Sequence, residues 1–395
     1  MTLAGASVVE LSAFVAAPLA GMTLAGLGAD VIRVDPPGGG LDYHRWPRSR
    51  AGDSLFWHGL NRGKRSVVLD WRRDEGRELV AALVARPGPG SGILLTNLGA
   101  RGTLSHGALR TRREDVISVE IEGYRDGAIA VDYTIAARSG IPFLTGPTGT
   151  VGPVNSPLPS WDVATGFCAA LAVVSALRQR ERTGRGSATL IALADVAVSV
   201  LASLGFVDEQ ERAEQPRVRD GNYLYGAFGR DFTLSDGSRV MLVALTARQW
   251  RALVAAFGIA EEVEALERDR GLDLSDEGDR YRARAEIARL LERRCACLEP
   301  AAVLEALERH EACWSRYETA PELARALLGT RPPDGEGLVR DVPLPLRLDG
   351  TEPSPVGAAP ELGRDTEAVL ADLLSLSARE IGRLRDAGIA GTGRP

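Results

Sequence analysis

Gly5-Ala-Ser-Val-Val-Glu-Leu11 is a short, mostly apolar segment, and its length and composition predict a buried β-strand. Pro18 then opens a predicted helix at Leu19–Leu27, which Gly28 ends. Val31-Ile-Arg-Val34 predicts a second strand. A strand, a helix and a second strand in this order form the unit of a parallel sheet. The opening of the chain therefore predicts an α/β fold.

The same alternation continues through the first half of the chain. Further strands are predicted at Ser66–Leu69, Gly92–Thr96, Val116–Ile121 and Ser187–Leu193. Helices are predicted at Glu75–Ala85, Asp162–Arg182 and Asp195–Leu204. Strands that alternate with helices favour an open sheet with helices on both faces, so this half is predicted to be an α/β domain.

The length of the chain and the changes in composition along it predict more than one domain. The chain has 395 residues, whereas single hydrophobic cores rarely grow beyond about 250–300 residues. Residues 1–207 are expected to belong to a large domain, and the charged segment 208–222 to be a linker. Residues 223–325 combine aromatic strands, a turn and charged helices, which predicts a smaller α+β domain. Residues 326–395 predict an extended return segment followed by a final helix.

The overall charge limits the class of partner. The formal net charge is −6, whereas proteins that bind nucleic acids or anionic membranes are usually basic. No segment reaches the roughly 18 uninterrupted apolar residues of a membrane span. The apolar N-terminus lacks a basic start and contains Glu10, so it does not predict a secretion signal. Neither a nucleic acid nor a membrane is expected as a partner.

Cysteine and histidine usage predicts a cytoplasmic protein without a metal site. Four cysteines are too few for a disulfide scaffold in a chain of this length, so reduced thiols are expected. The four histidines form no pair with the spacing of metal ligands. Gly38-Gly-Gly40 lacks the strand, helix and acid of a dinucleotide fingerprint, so no tightly bound nucleotide cofactor is expected.

Asp162 stands just before the long predicted helix, and two interpretations fit its position. Aspartate is a preferred helix N-cap, because its carboxylate accepts hydrogen bonds from the free amides of the first turn. The same position also suits an anionic nucleophile, because a carboxylate can form a covalent anhydride or thioester with an acyl group. Position alone leaves both interpretations open.

A compact cluster of cations lies at Asn61-Arg-Gly-Lys-Arg-Ser66, followed by Arg72 and Arg73. It predicts either a solvated loop or a clamp for phosphate, to which guanidinium groups are well suited. Lys64 is the only lysine among 47 basic residues. A codon preference for arginine explains the excess of arginine, but it does not explain why this one lysine remains.

Three motifs occur in a fixed order across most of residues 5–205. They are Val8-Val-Glu-Leu-Ser12 with Leu27-Gly-Ala-Asp-Val-Ile-Arg-Val34, then Lys64-Arg-Ser66 with Leu69-Asp70, and then Arg182-Thr-Gly-Arg-Gly186. Together these motifs resemble the class III CoA-transferase family, which includes formyl-CoA transferase, carnitine CoA-transferase and α-methylacyl-CoA racemase. The resemblance implies an enzyme whose substrate is an acyl-CoA thioester, with CoA as part of that substrate.

The resemblance also implies site residues and an architecture. The family's catalytic aspartate falls on Asp162. Its contacts to the adenosine and phosphates of CoA fall approximately on Leu69, Arg72, Asn97, Leu98 and, close by, Arg101. Lys64, in the cation cluster, is expected to add to phosphate binding. The implied fold is a large Rossmann-like open-sheet domain made from both chain ends, a smaller α+β domain, and a homodimer of two interlocked subunits.

Further motifs resemble one branch of the family. Gly38-Gly-Gly-Leu-Asp-Tyr43, Ser54-Leu-Phe-Trp57 and Gly221-Asn-Tyr-Leu-Tyr-Gly226 are similar to the intramolecular transferases. These enzymes are isomerases that shift CoA between the C1 and C4 carboxyls of one branched C4 diacid, as in mesaconyl-CoA. The resemblance therefore implies intramolecular transfer.

Departures from the rest of the family weaken three alternatives. The racemases have a histidine and an acid where this chain has Val131 and Thr246, and valine cannot move a proton. Asp132, next to Val131, is either a replacement acid or a structural one. An intermolecular transferase remains open, although no glycine-rich flap is found near residues 210–235. A CoA-binding protein without turnover is disfavoured by the presence of Asp162.

Overall fold

The computed structural model describes residues 2–328, 338–340, 342–347, 349–350 and 355–391. Parts of the predicted return segment within 326–395 therefore lie outside the described residues. The chain forms two compact units, each built from separate stretches of sequence. The first unit contains the described parts of Met1–Ser139, Pro157–Val207 and Pro332–Pro395, and the second contains those of Gly140–Ser156 and Asp208–Arg331.

The strands and helices of the described residues are numbered in chain order. The strands are β1 (Ser7–Leu11), β2 (Asp30–Asp35), β3 (Arg65–Leu69), β4 (Ile93–Thr96), β5 (Ile117–Glu122), β6 (Ser187–Ala192), β7 (Phe228–Thr233), β8 (Arg239–Ala244), β9 (Cys313–Arg316) and β10 (Ala390–Gly391). The helices of the first unit are α1 (Ala16–Gly26), α2 (Leu55–Leu60), α3 (Asp74–Ala85), α4 (His106–Arg112), α5 (Asp132–Arg138), α7 (Ser160–Thr183), α8 (Leu193–Ser203), α16 (Thr366–Leu374) and α17 (Ala378–Asp386). Those of the second unit are α6 (Ile141–Leu144), α9 (Glu209–Arg212), α10 (Ala247–Phe257), α11 (Ala260–Arg270), α12 (Glu277–Arg282), α13 (Arg284–Cys297), α14 (Pro300–Arg309) and α15 (Ala320–Leu328).

The sheet of the first unit has the strand order β10-β3-β2-β1-β4-β5-β6. β10 is antiparallel to β3, and the other neighbouring strands are parallel. The α/β fold predicted from the opening segment is therefore confirmed. The order 3-2-1-4-5-6 is that of doubly wound nucleotide-binding sheets. In such sheets the winding reverses between β1 and β4, and ligands bind beyond the carboxyl ends of the strands at this switch point.

Helix α7 packs closely on α1. Ala169 and Val173 of α7 are buried in one apolar cluster with Ala17 and Leu24 of α1. Gly166 permits the close approach, because a Cβ atom there would lie 2.9 Å from the carbonyl oxygen of Ala16. By length and composition α7 could cross a membrane, but its buried residues share the core of the first unit, which is the arrangement of a core helix.

The C-terminal segment covers the outer edge of β3. The amide of Ser66 donates to Asp365 Oδ2 (2.8 Å), and the amide of Val68 donates to Thr366 Oγ1 (3.0 Å). β10 then pairs with the end of β3. Backbone groups that would otherwise be left open at the edge of the sheet are thereby satisfied by residues synthesised about 300 positions later.

The second unit contains an antiparallel sheet with the order β7-β8-β9. Strand β9 lies near the end of residues 223–325, for which the smaller α+β domain was predicted. Residues 140–156, which the sequence placed in the large domain 1–207, belong to this unit. Arg219 holds them there by donating to the carbonyl oxygens of Pro142 (2.9 Å) and Gly152 (2.7 Å). The segment 208–222, predicted as a linker, is part of the unit and contains α9.

Candidate active site

The loops after β1 and β4 are joined at the switch point of the sheet. The side-chain oxygen of Asn97 accepts from the amide of Ala13 (2.9 Å), and its amide nitrogen donates to the carbonyl of Ala13 (2.8 Å). Both hydrogen bonds hold the β1 loop in a fixed position beside the β4 loop. The edge at which this fold binds ligands is therefore preorganised in this chain.

Phe14, the next residue of the β1 loop, has a left-handed backbone with φ 64°. This conformation is costly for a residue with a side chain and persists only when the surroundings enforce it. Here the amide of Phe14 donates to Asp42 Oδ2 (3.1 Å). Backbone strain of this kind is concentrated at functional sites, so the β1 loop is a candidate site independently of any resemblance.

Arg45 lies over the ring of Phe14. Its guanidinium carbon is 5.4 Å from the ring centroid of Phe14 and 5.3 Å from that of Phe56 in α2. The backbone of Arg45 is also anchored, because its carbonyl accepts a hydrogen bond from Ser54 Oγ (2.6 Å). The cation is therefore held by two aromatic faces while its charged end remains exposed.

Asp162 lies inside the first turn of α7, which begins at Ser160. The N-cap of α7 is Pro159, and the helix has no side-chain cap from its own N-terminal residue. The interpretation of Asp162 as the N-cap is therefore wrong. The structure describes no hydrogen bond or ion pair of the Asp162 carboxylate with any described residue, so this group is available to a ligand.

Asp132 takes the capping role instead. Its Oδ2 accepts from the amides of Trp161 (2.7 Å) and Asp162 (3.0 Å), and the residue is buried. A carboxylate from α5 thus satisfies the free amides at the start of α7, where the helix dipole favours negative charge. Of the two roles open for Asp132, the structure supports the structural one: it fixes the backbone that carries Asp162.

The surroundings of Asp162 raise the pKa of its carboxyl to about 7. Burial is the main cause, since it disfavours the charged form, and the negative charge of Asp132 adds to it. The positive charge of Arg45 acts in the opposite direction. A carboxylate with a pKa near neutrality is a stronger nucleophile than an ordinary aspartate and is still ionised to a useful extent near pH 7.

Replacement of Asp132 by asparagine should shift the pH dependence of the enzyme. Asparagine keeps an oxygen that can accept both amides, but it removes the negative charge that raises the pKa of Asp162. Activity depends on ionised Asp162, so it should rise with pH through about 7 in the wild type and at a lower pH in Asp132→Asn. Rate measurements between pH 5 and 9 test this.

Asp132→Ala serves as the comparison, because it loses the cap as well as the charge. It should lower the free energy of unfolding by an amount typical of a lost cap, about 1–2 kcal/mol. An unchanged pH profile in Asp132→Asn would contradict the electrostatic role of Asp132.

The positions implied for CoA binding meet at one edge of the large sheet. Leu69 ends β3, Asn97 and Leu98 directly follow β4, and Asp70 accepts from Arg72 Nε (2.8 Å). The side chain of Leu69 is buried in the core, whereas those of Arg72 and Arg101 are exposed. Both arginines can therefore reach phosphates from this edge, although Arg72 is paired with Asp70 in this structure.

Lys64, by contrast, is not exposed. Its ammonium donates to Glu10 Oε1 (2.9 Å), Asn61 Oδ1 (2.8 Å) and the carbonyl of Pro18 (2.8 Å). All three donors are therefore used, and burial lowers the pKa of the group to about 8. The cation cluster is neither a solvated loop nor an open clamp at this residue, and the expected phosphate contact of Lys64 is corrected to a structural role.

Arg33 completes the buried network around Lys64. Its guanidinium donates to both carboxylate oxygens of Asp35 (2.9 and 3.0 Å) and to Asp42 Oδ1 (3.0 Å). Asp42 is the residue that also holds the amide of Phe14. Through Asp42, the buried network therefore fixes the backbone of the β1 loop at Phe14. This role was not predicted from the sequence.

Two relatives are similar to this chain over most of its length. One similar relative is the 2-methylfumaryl-CoA isomerase of Chloroflexus aurantiacus, which is 46% identical over 98% of this chain and 97% of its own length. The succinyl-CoA:mesaconate CoA-transferase of Haloarcula hispanica is 29% identical over 90% of this chain and 92% of its own length.

A solved structure and a family match lead to the same group. The CAIB/BAIF family protein from Brucella suis superposes with a TM-score of 0.75 at 27% identity, covering 94% of this chain and 99% of that one. Residues 3–366 match the family described as CoA-transferase family III. The chain therefore belongs to CoA-transferase family III.

Proposed function

We propose that this chain is an isomerase that moves CoA between the C1 and C4 carboxyls of 2-methylfumaryl-CoA (mesaconyl-CoA). The observation that carries the proposal is the Asp162 carboxylate, which is unpaired among the described residues and fixed at the start of α7 by Asp132. The names of the relatives from Chloroflexus and Haloarcula support the acyl group, since both refer to the same C4 diacid.

The first half of the reaction transfers CoA to the enzyme. Asp162 attacks the thioester carbonyl at C1, which forms a mixed anhydride and releases the CoA thiolate. The thiolate then attacks the aspartyl carbonyl of the anhydride. This step forms an aspartyl-CoA thioester on Asp162 and releases the C1 carboxylate of the diacid, which remains in the site.

The second half reverses these steps at the other end of the diacid. The C4 carboxylate attacks the aspartyl-CoA thioester, which gives a new anhydride and again the CoA thiolate. Attack of the thiolate on the C4 carbonyl forms the product thioester and regenerates the Asp162 carboxylate. Retention of the diacid keeps these steps effectively intramolecular, which can contribute roughly 7–11 kcal/mol to the lowering of the barrier.

The binding residues and the assembly belong to the same proposal. Arg72 and Arg101 would contact the phosphates of CoA, and Asn97 and Leu98 would contact its adenosine. Leu69 would contribute only through its backbone, because its side chain is buried in the core. The exposed position of both arginines at the ligand-binding edge supports this assignment. The active enzyme would be an interlocked homodimer, as the family resemblance implies, and it would be cytoplasmic, as the cysteine usage predicts.

Two other functions are less well supported. An intermolecular CoA transferase would use the same residues, and the Haloarcula relative favours it as the second candidate. A racemase is not supported by Val131 and Thr246, which stand where the racemases have a histidine and an acid. Val131 carries no titratable group, and the hydroxyl of Thr246 caps α10 by accepting from the amide of Gln249 (3.2 Å).

Incubation with 2-methylfumaryl-CoA alone tests the proposal. The wild-type protein should convert it to the isomeric thioester of unchanged mass, without release of free CoA and without an acceptor acid. A second incubation adds isotopically labelled free 2-methylfumarate. Label in the product thioester would indicate exchange with solution and favour the intermolecular transferase, whereas conversion only in the presence of a different acid would overturn the isomerase.

A further inference from the structure

The guanidinium of Arg45 is held in place but makes no polar contact with the described residues. Two rings, Phe14 and Phe56, lie within 5.4 Å of its central carbon, and its backbone carbonyl is fixed by Ser54. The structure describes no hydrogen bond and no ion pair of its five N–H groups with any described residue. Many other arginines among the described residues pair with an acid, as Arg65 does with Asp30 (3.2 Å).

Arg45 and Asp162 flank the same short segment. Arg45 covers Phe14, and two residues later the carbonyl of Ala16 packs against Gly166 of α7. Gly166 follows Asp162 by one helical turn, a rise of about 6 Å. The positive charge of Arg45 is close enough to lower the pKa of the Asp162 carboxyl, although no ion pair between the two side chains is described. A carboxylate and a guanidinium that are both unpaired among the described residues thus lie against the same short segment, residues 14–16.

We propose that Arg45 binds the carboxylate of the substrate that is not attached to CoA, and that it makes the site selective for monothioesters of dicarboxylic acids. The inference rests on the proposed function of Asp162 and specifies its substrate class. A planar guanidinium binds a carboxylate through two parallel hydrogen bonds, so it recognises both the charge and the position of that group. The aromatic faces on either side reduce the freedom that Arg45 would lose on binding.

The same contact explains how a free diacid stays in the site. After CoA has moved to Asp162, the diacid is held by no covalent bond and carries two carboxylates. Arg45 holds the C4 carboxylate while C1 reacts and the C1 carboxylate while C4 reacts. Its five donors allow one carboxylate to replace the other without loss of the acid to solution.

The test compares two thioesters in a single turnover of the full-length protein. One is 2-methylfumaryl-CoA, and the other is the E isomer of 2-methylbut-2-enoyl-CoA, in which a methyl group replaces the free carboxylate. Formation of the enzyme-bound CoA thioester on Asp162 is followed by intact-protein mass spectrometry. Arg45→Gln should slow the reaction of 2-methylfumaryl-CoA by about 10- to 100-fold, the usual effect of losing hydrogen bonds to a charged group.

The analogue and two further variants separate recognition from damage to the fold. Arg45→Gln should lose much less rate with the methyl analogue, which has no free carboxylate, than with 2-methylfumaryl-CoA. The rates are compared at pH 9, where Asp162 is ionised even when the charge of Arg45 no longer lowers its pKa. Arg45→Lys should restore part of the rate with the diacid thioester, because it keeps the charge but cannot form the two parallel hydrogen bonds of a guanidinium. Arg50→Gln, an exposed arginine of the same loop, should behave as the wild type with both substrates.

The outcomes distinguish this inference from the proposed function. Equal losses of rate with both thioesters in Arg45→Gln, or no loss with either, would overturn the role of Arg45 even if the wild type isomerises its substrate. The wild type could fail to isomerise 2-methylfumaryl-CoA and still form the CoA thioester on Asp162. If Arg45→Gln then slows that step with 2-methylfumaryl-CoA but not with the methyl analogue, the selectivity for diacids stands and the isomerase does not.

Discussion

Replacement of Asp162 by alanine should abolish turnover, with a loss of at least about 10⁴-fold, the scale observed when a covalent nucleophile is removed. In the proposed mechanism every step forms or breaks a bond to this carboxylate, so no neighbouring group can take its place. The measurement is the rate of isomerisation of 2-methylfumaryl-CoA, together with the mass of the protein after incubation. Substantial residual activity, or a CoA adduct on the variant, would contradict the covalent scheme.

Asp162→Asn provides the matched control, because it keeps the shape of the side chain and removes only its charge. Aspartate has a pKa of about 3.9 in an unfolded chain, and here the folded value is about 7. Between these values the folded protein binds more protons than the unfolded one, so this group lowers stability as the pH rises from about 4 to 7. Above pH 7 the ionised Asp162 lowers the free energy of unfolding by its full amount, which is at most about 4 kcal/mol.

The asparagine variant should therefore be inactive yet more stable than the wild type at pH 8. The difference in the free energy of unfolding should be smaller at pH 5, where much of the wild-type carboxyl is already protonated. Urea unfolding at a fixed protein concentration measures both values. If the variant were less stable than the wild type at pH 8, Asp162 would be a structural acid and not a strained functional one.

Replacement of Arg33 by methionine should cause the largest loss of stability. Arg33 is 1% exposed and lies among the buried carboxylates of Asp35, Asp42 and Glu10. Removing one partner of a buried ion pair typically costs about 3–5 kcal/mol, because the remaining charge has no compensation. Here several carboxylates lose their partner at once, so Arg33→Met is expected to unfold in cells or to accumulate as insoluble protein.

Two further variants keep this prediction testable if Arg33→Met cannot be purified. Arg33→Lys retains the charge but cannot reach the same acceptors, so it should fold with reduced stability. Arg65→Met on the neighbouring strand removes a partly exposed ion pair with Asp30, which is worth no more than about 1 kcal/mol. Thermal unfolding followed by circular dichroism ranks the three. Equal stability of the Arg33 and Arg65 variants would show that the buried network is not a stabilising feature.

The elements that follow local periodicity could be predicted from the sequence. The six parallel strands of the large sheet were predicted to within one or two residues, because buried parallel strands are short apolar runs bounded by turns. The short antiparallel strand β10 was not predicted. Helix α1 begins at Ala16, ahead of the predicted start, since Pro18 is tolerated within the first turn. Asp162 was selected as the candidate nucleophile through the family resemblance, because its position next to the helix allowed two interpretations.

Features that depend on contacts between distant residues could not be predicted. The cap that Asp132 provides joins residues 29 and 30 positions apart. The proposed role of Arg45 depends on its contacts with Phe14 in the β1 loop and Phe56 in α2, which only the fold brings together. The single lysine was noticed in the sequence, but its role depends on Glu10 and Pro18, which precede it by 54 and 46 positions. The sequence shows the type of each residue, but only the fold determines which residues become its hydrogen-bond and ion-pair partners.

The edge of β3 has a consequence for how the chain is made. This strand is complete once residue 69 has been synthesised, yet the groups that cover its edge belong to residues 363–391. During translation the ribosome must add nearly the whole chain while that edge stays open to pairing with other nascent chains. Deletion of the last 30 residues should therefore yield a protein that depends on chaperones and aggregates, even though every residue of the candidate active site is present.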